Sequence, residues 1–273
     1  MKIFIVTDME GINGVISNEQ ASGNGSSNME ARKWLTNQVN AAVKAAFEMG
    51  AEKVLVSDGH NRCQNLILDM LHEKVLVVTG KASRKLGPME GISEEFDAMF
   101  MIGFHGKEGS DGVLPHTVHG IINKLSLNNL EVGEIELNAA IAGYYHVPVA
   151  LISGDATACM EAKEAISEVE TAVVMEGLGM YSAVIPTPSV ACDIIYESTK
   201  RAVAKLDDMK LYKIDGQVEM LIEFKSVAAA DGAALMPGVK RINKKSCMFI
   251  AKDIIEVQSA LNCMIVLAAN NNN

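Results

Sequence analysis

The sequence has few cysteines and no long apolar run, and both absences restrict the class of protein. Its 273 residues include five cysteines, an odd number that are widely scattered and form no Cys-x-x-Cys pair. Such cysteines are typical of reduced thiols and not of a disulfide framework. No apolar stretch approaches the roughly 18 residues that a membrane-spanning helix needs, and the first residues do not form a signal peptide. We therefore expect a cytoplasmic protein without a membrane partner.

Clustered positive charge is also scarce. The 24 basic and 34 acidic residues give a net charge of −10, and the densest basic segment contains only Lys240-Arg241 and Lys244-Lys245. This balance argues against nucleic acid or an anionic membrane as the main partner. A composition of 49% hydrophobic and 21% charged residues fits a well-buried α/β protein and excludes a disordered chain.

Several catalytic signatures are missing. The Gly-Ile-Asn-Gly segment at 11–14 lacks the GxGxxG spacing, and the sequence contains no GK[ST], HExxH or GxSxG motif. The dinucleotide-binding and P-loop interpretations are therefore weak, and no serine stands in a nucleophile context.

Short apolar runs separated by helix-length segments predict an α/β fold with an open, mainly parallel sheet and flanking helices. The predicted strands include residues 3–6, 54–56, 98–104 and 147–153, and a helix is predicted over 161–170. The chain changes character after about Pro186, where a smaller α+β subdomain is expected. We predict a catalytic domain over 1–185, a subdomain over 186–273 and a disordered tail at 270–273.

Metal-type ligands follow four of the apolar runs. Asp8 and Glu10 follow the first, His60 the second, His105 the third, and Glu134 follows the run at 130–133. Each alone has a structural explanation, such as a hydrogen-bonded strand end or a carboxylate at a helix N-terminus. Because ligands bind outside the carboxyl ends of parallel strands, their coincidence favours a site for two divalent metals.

The other histidines have different interpretations. His116 and His119 share the loop at 114–120, and one of them suits an acid/base role beside a metal-bound water. His72 and His146 have no such neighbours and are expected to be structural. Asp58 either orients a histidine ring or is structural.

Five segments together resemble the DppA-type D-aminopeptidases, a family of dinuclear zinc enzymes. They are Asp8-Met9-Glu10-Gly11-Ile12, Asp58-Gly59-His60, Gly103-Phe104-His105, Pro115-His116, and Gly133-Glu134 with Leu137-Asn138-Ala139. Their order and spacing match from the start of the chain to about residue 238, which leaves out only the tail.

The resemblance implies a metalloprotease that removes an N-terminal D-amino acid, typically D-Ala, from short peptides. Two zinc ions per chain would be held by Asp8 as a bridge and by Glu10, His60, His105 and Glu134. His116 would be catalytic. The family assignment makes it a nucleophile, whereas we favour a general acid/base or an oxyanion donor, because the activated water already supplies the attack. Members of this family have an α/β fold with a second, smaller domain, and they pair two rings of five chains into homodecamers. The resemblance implies the same fold and assembly for this chain.

Two departures from the family pattern concern the pocket. The segment 17–28 is rich in Ser, Gly and Asn, and Ile135-Glu136 follows Gly133-Glu134; both are candidates for lining the substrate pocket. Two other functions stay open: a dinuclear metal phosphoesterase, and an inactive metal-stabilised ring or peptide-binding protein.

Overall fold

Two β-sheets and their helices make up the computed structural model, which describes residues 1–81 and 85–271. The strands are β1 (Lys2–Thr7), β2 (Lys53–Asp58), β3 (Leu76–Val78), β4 (Ala98–Phe104), β5 (Ile122–Leu127), β6 (Leu130–Glu131), β7 (Val149–Asp155), β8 (Glu170–Gly179), β9 (Ser182–Val184), β10 (Val218–Phe224), β11 (Lys240–Arg241) and β12 (Ser246–Ala251). The helices are α1 (Asn18–Ser22), α2 (Ser26–Glu48), α3 (Glu134–Tyr144), α4 (Ala156–Ala165), α5 (Pro188–Ala204), α6 (Val227–Ala233) and α7 (Ile254–Asn270).

The larger sheet has the strand order β3-β2-β1-β4-β7-β8-β9. Its strands pair in parallel except for the antiparallel edge hairpin β8–β9. Successive side chains of a strand point to opposite sides, and those of β1 are buried on both faces of the sheet. Ile3 and Ile5 pack in the same hydrophobic cluster as α2 and α5, whereas Phe4 and Val6 pack in the cluster that contains the second sheet and α7.

The second sheet is antiparallel, with the order β11-β12-β10-β5-β6. Its central strand β10 alternates between buried and half-buried residues, as expected for a strand with one face in the core. The predicted fold class is confirmed: a mostly parallel sheet flanked by helices, with a second antiparallel sheet.

The domain division at 185/186 stays a prediction. The second sheet contains strands from both sides of that position, since β5 and β6 precede it and β10 to β12 follow it. Helix α5 follows the position, yet it packs against strands β7 and β8 of the larger sheet and against helix α2. Of the tail predicted to be disordered, Asn270 ends α7, and 272–273 lie outside the described residues.

Two local predictions are wrong. The helix expected over 161–170 begins earlier, at Ala156, because the Asp155 side chain accepts a hydrogen bond from the Ala158 N–H and caps it; Glu170 already begins β8. The run at 130–133 does not end a parallel strand, since β6 pairs antiparallel with β5. Among the helices in the described ranges, none is both long and apolar enough to cross a membrane.

Candidate metal centre

Three of the predicted ligands come together at the carboxyl edge of the larger sheet. β1 lies between β2 and β4, and Thr7 pairs with Asp58 on one side and Ile102 on the other. The three strands therefore end at the same level. Asp8 directly follows β1, His105 directly follows β4, and His60 lies two residues beyond β2. Parallel topology thus places residues 8, 60 and 105 side by side.

The loop after β1 packs against the end of β4 without room for a side chain. The Gly11 N–H donates to the Gly103 carbonyl at 2.8 Å, and a Cβ on Gly11 would lie 1.8 Å from the Phe104 oxygen. Gly103 has a φ of +84°, which favours glycine, and a Cβ there would lie 2.4 Å from the Asp8 carbonyl oxygen. This close approach fixes where Asp8 and Glu10 stand relative to β4.

Glu134 reaches the site from a helix and not from a strand of the parallel sheet. It is the first residue of α3, and the Glu136 side chain reaches back to the helix N-terminus, where it accepts a hydrogen bond from the Gly133 N–H at 2.8 Å. Glu134 Oε1 also accepts a hydrogen bond from the Val118 N–H at 2.7 Å. Glu136 therefore caps the helix, and it is not among the residues that line the cavity described below.

The five predicted ligands form two groups that share Asp8. In the first group, His60 Nδ1 lies 3.0 Å from Asp8 Oδ1 and 3.1 Å from Glu10 Oε2. In the second, His105 Nε2 lies 3.2 Å from Asp8 Oδ2 and 3.3 Å from Glu134 Oε1. Ligand atoms around a tetrahedral zinc with bonds of about 2.1 Å lie roughly 3.4 Å apart. Both groups have the spacing of a metal coordination shell.

Neighbouring groups set the donor atom of each histidine ring. His105 Nδ1 donates to the Gly106 carbonyl at 2.9 Å, which leaves Nε2 as the ring's lone-pair donor toward the carboxylates. His60 Nε2 lies 3.1 Å from Ser22 Oγ, so that its Nδ1 faces Asp8 and Glu10. Such outer hydrogen bonds hold metal-ligating imidazoles in one tautomer and orientation.

The burial of the site leaves polar atoms that a cation would satisfy. Asp8 Oδ2, Glu10 Oε2 and His105 Nε2 are buried and make no hydrogen bond to the described residues. Carboxylates packed this closely repel one another unless positive charge lies between them. The residues present therefore fit two divalent cations, with nitrogen and oxygen donors of the kind that zinc accepts.

The pKa values of the metal-free site reflect the same charges. Burial alone would raise the pKa of Asp8, but the adjacent His105 and His60 rings hold it well below its usual range. Burial alone would lower the pKa of each histidine, but the facing carboxylates raise both well above the usual value. Without metal, the acidic residues around them thus favour the protonated form of the two imidazoles.

His116 stands beside the second group. Its ring stacks on His105 with the centroids 4.1 Å apart and the planes 11° apart. Its Nδ1 donates to the Leu114 carbonyl at 3.0 Å, and its Nε2 lies 3.7 Å from Glu134 Oε1. His105, His116 and Glu134 place one ligand atom each close enough to share a metal, so its geometry permits either a ligand or a proton-transfer role.

The remaining histidines and Asp58 lie differently. His119 lines the cavity beside His116, whereas His72 stacks on Phe47 and His146 lies beside Lys213. Asp58 accepts hydrogen bonds from the N–H groups of Asn65 and Leu66 and from the Asn65 side chain, which in turn donates to the His60 carbonyl. Asp58 therefore positions the loop that carries His60 through main-chain and Asn65 contacts.

A cavity of about 570 Å³ opens onto the metal ligands, within the usual size range of ligand pockets. Its walls include Ser22 from α1, Val118 from the loop at 114–120, Asn138 from α3, and Gln258 and Asn262 from α7. Ser22 belongs to the departing segment 17–28 and so had a sequence signal. The α7 residues had no sequence signal, because they are far from the motifs along the chain and reach the cavity only through the packing of α7.

Comparison with known proteins agrees with this geometry. The family model described as D-aminopeptidase matches residues 1–263. A D-aminopeptidase of Bacillus subtilis (strain 168) is 32% identical over 270 residues, covering 98% of both chains. The solved structure of the Zn-dependent D-aminopeptidase DppA from Bacillus subtilis, a self-compartmentalizing protease, superimposes with a TM-score of 0.97 at 30% identity over 100% of both chains. The family resemblance of the sequence is confirmed, and the chain belongs to the D-aminopeptidase family.

Proposed function

We propose that this chain is a zinc-dependent aminopeptidase that removes an N-terminal D-amino acid, of the D-Ala type, from short peptides. The observation that carries the proposal is the arrangement of Asp8, whose two carboxylate oxygens face two different histidines. The Zn-dependence and D-aminopeptidase activity named for the Bacillus subtilis relatives support it. No feature of the site favours a phosphoesterase over the activity named for the family.

Two zinc ions per chain would be bound by the five predicted ligands. Asp8 would bridge them, with His60 and Glu10 completing one site and His105 and Glu134 the other. When bound, such a metal pair lowers the pKa of water and polarises a carbonyl group. The protein contributes the buried surroundings that strengthen these charges and the hydrogen bonds from His60 and His105 that fix the ligand rings.

His116 would transfer protons at Nε2. Its Nδ1–H is held by the Leu114 carbonyl, so Nε2 is the atom free to accept a proton on the cavity side. The stacked His105 ring fixes the orientation of the imidazole. A general acid is needed to protonate the departing amine, because an amine anion is a poor leaving group. A covalent histidine intermediate is not required.

Recognition of a free amino terminus would belong to the same site. Asp8, Glu10 and Glu134 line the cavity as proposed metal ligands, and the peptide's amino group would be held there by a metal or by a carboxylate. A peptide whose amine is held at this end presents its first peptide bond to the reacting groups, which restricts cleavage to the N-terminal residue. The preference for a D-residue is part of the proposal and follows from the family.

The chain would act as a homo-oligomer, and we propose the decamer that the family resemblance implies. The DppA relative is named as self-compartmentalizing. The edge hairpin β8–β9 exposes large apolar side chains, with Leu178 71% and Tyr181 57% accessible. Apolar groups concentrated on one projecting hairpin are typical of a surface that another protein covers.

Release of free alanine from D-Ala-D-Ala and L-Ala-L-Ala tests the function directly. We expect release from the D-dipeptide, loss of the activity with a chelator, and its return when zinc is added. Bound zinc with no hydrolysis of either dipeptide would instead indicate an inactive metal-stabilised protein. Equal turnover of both dipeptides would keep the aminopeptidase and contradict the D-preference.

A further inference from the structure

A second, smaller cavity of about 270 Å³ lies next to the metal cavity. It is lined by polar groups from the start of α2, the 21–28 segment and the loop after β2. Two guanidinium groups, of Arg32 and Arg62, lie in its wall, and none of its described lining residues is acidic. In a chain with a net charge of −10, a pocket with two arginines and no carboxylate is unusual.

The two arginines are used differently. Arg32 donates from Nε to the Asn65 carbonyl at 2.9 Å and from Nη2 to the Gln64 carbonyl at 2.8 Å. It therefore holds the loop that forms the pocket. Arg62 is exposed and makes no ion pair or hydrogen bond with the described residues. Its five N–H donors are free to bind an anion.

The pocket is joined to the metal centre by shared walls. Ser22 and Asn61 line both cavities. Ser22 Oγ lies 3.1 Å from the ring of His60, and Asn61 and Arg62 directly follow His60 in the chain. The loop that carries the predicted ligand His60 thus also carries Arg62, and the two cavities adjoin at Ser22 and Asn61.

We propose that this arginine pocket binds the C-terminal carboxylate of a short peptide whose N-terminal residue lies at the metal centre. The inference rests on the proposed function and names the substrate class: di- or tripeptides with a free carboxyl terminus. The two adjoining cavities match the two ends of such a peptide, with the metal centre holding the amino-terminal residue and the arginines facing the carboxylate. Guanidinium pairs with carboxylate in a bidentate manner, which suits Arg62 to this role.

Hydrolysis of free-acid and C-terminally amidated peptides tests the proposal. We would measure kcat and KM for D-Ala-D-Ala, for the D-alanine tripeptide and for the amide of each. An amide carries no negative charge and cannot pair with Arg62. For one or both lengths, Arg62→Gln should raise KM for the acid by about 10-fold, the worth of a typical charge-assisted hydrogen bond, and leave the amide unchanged. Arg62→Lys should restore part of the loss for the acid.

Lys33→Gln is the matched control, because Lys33 is exposed, carries the same charge and lies on α2 outside the pocket. It should leave both peptides unaffected. A purely structural effect of Arg62→Gln would lower turnover of acid and amide alike, and that result would overturn the proposal. So would an unchanged KM for both free acids.

The outcome also separates this proposal from the function on which it rests. If wild-type protein hydrolyses acid and amide peptides and Arg62→Gln changes neither, the aminopeptidase stands and the carboxylate site is refuted. If the zinc-loaded wild type hydrolyses none of the four peptides, the function fails and this inference fails with it.

Discussion

The shared position of Asp8 leads to the sharpest prediction for this protein, made by comparing Asp8→Ala with Glu10→Ala. Asp8 faces His60 with one oxygen and His105 with the other, at 3.0 and 3.2 Å. Glu10 makes its short contact with His60, at 3.1 Å, although its ligand atom also lies within 4.8 Å of those of Asp8 and His105; in the proposed assignment it serves the His60 site. Removing Asp8 therefore takes a ligand from both sites, whereas removing Glu10 takes a ligand from one.

The size of the effect follows from this count. Loss of a hydrogen bond to a metal ligand typically weakens metal binding by about 10- to 100-fold, and loss of a ligand itself should cost more. Asp8→Ala should thus weaken both sites by more than 100-fold and come through purification with almost no metal. Glu10→Ala should keep about one metal per chain, at His105 and Glu134, because that site retains all its proposed ligands.

Metal analysis of the purified variants measures this directly, with circular dichroism to show that each has folded. Glu164→Ala provides the matched control, since Glu164 is an exposed acidic residue of α4, and it should carry about two metals per chain like the wild type. Equal metal loss in Asp8→Ala and Glu10→Ala would refute the bridging role of Asp8, or would show that the two sites fill only together.

Three further predictions concern groups around the metals. His116→Ala should lower kcat by about 10²- to 10⁴-fold with the metal content unchanged; loss of metal in the same variant would make His116 a ligand. Ser22→Ala should weaken metal binding by roughly 10-fold, because Ser22 Oγ is the hydrogen-bond partner of His60 Nε2; a metal titration with unchanged affinity would exclude this contribution. The carboxylates raise the pKa of His60 and His105, and zinc requires neutral imidazole. Metal affinity should therefore fall as the pH drops below those raised pKa values, by about tenfold per pH unit for each proton displaced. Isothermal titration at several pH values would measure this fall, and a pH-independent affinity would contradict it.

The ligands on the parallel strands could be predicted from sequence because the rule that governs them is local. Asp8 and His105 each come directly after an apolar run, and the carboxyl ends of adjacent parallel strands meet at one edge. The sequence thus indicated which side chains share an edge before any fold was known. The family motifs added the roles of Glu10 and His116, which no periodicity reveals.

Glu134 lies beside the other predicted ligands, but for a different reason from the one that the sequence suggested. The run at 130–133 resembles the end of a buried strand, but β6 is an exposed strand of the antiparallel second sheet. Glu134 reaches the metal centre because α3 begins there, with Gly133 and Glu136 capping its N-terminus. An apolar run of four residues does not specify which sheet it joins, since that depends on pairing with distant strands.

The sequence by itself determined the metal-type ligands, the predominantly parallel sheet and the family, because these depend on residue type and on spacing within short segments. Only the tertiary structure decided that Ser22 bonds to His60, that α7 forms a wall of the cavity, and that Arg32 and Arg62 share a pocket beside the metal centre. These contacts join residues far apart in the chain, and none has a local signature. They form because packing of the apolar faces of the sheets and helices fixes where each loop ends, and the polar side chains on those loops meet as a consequence.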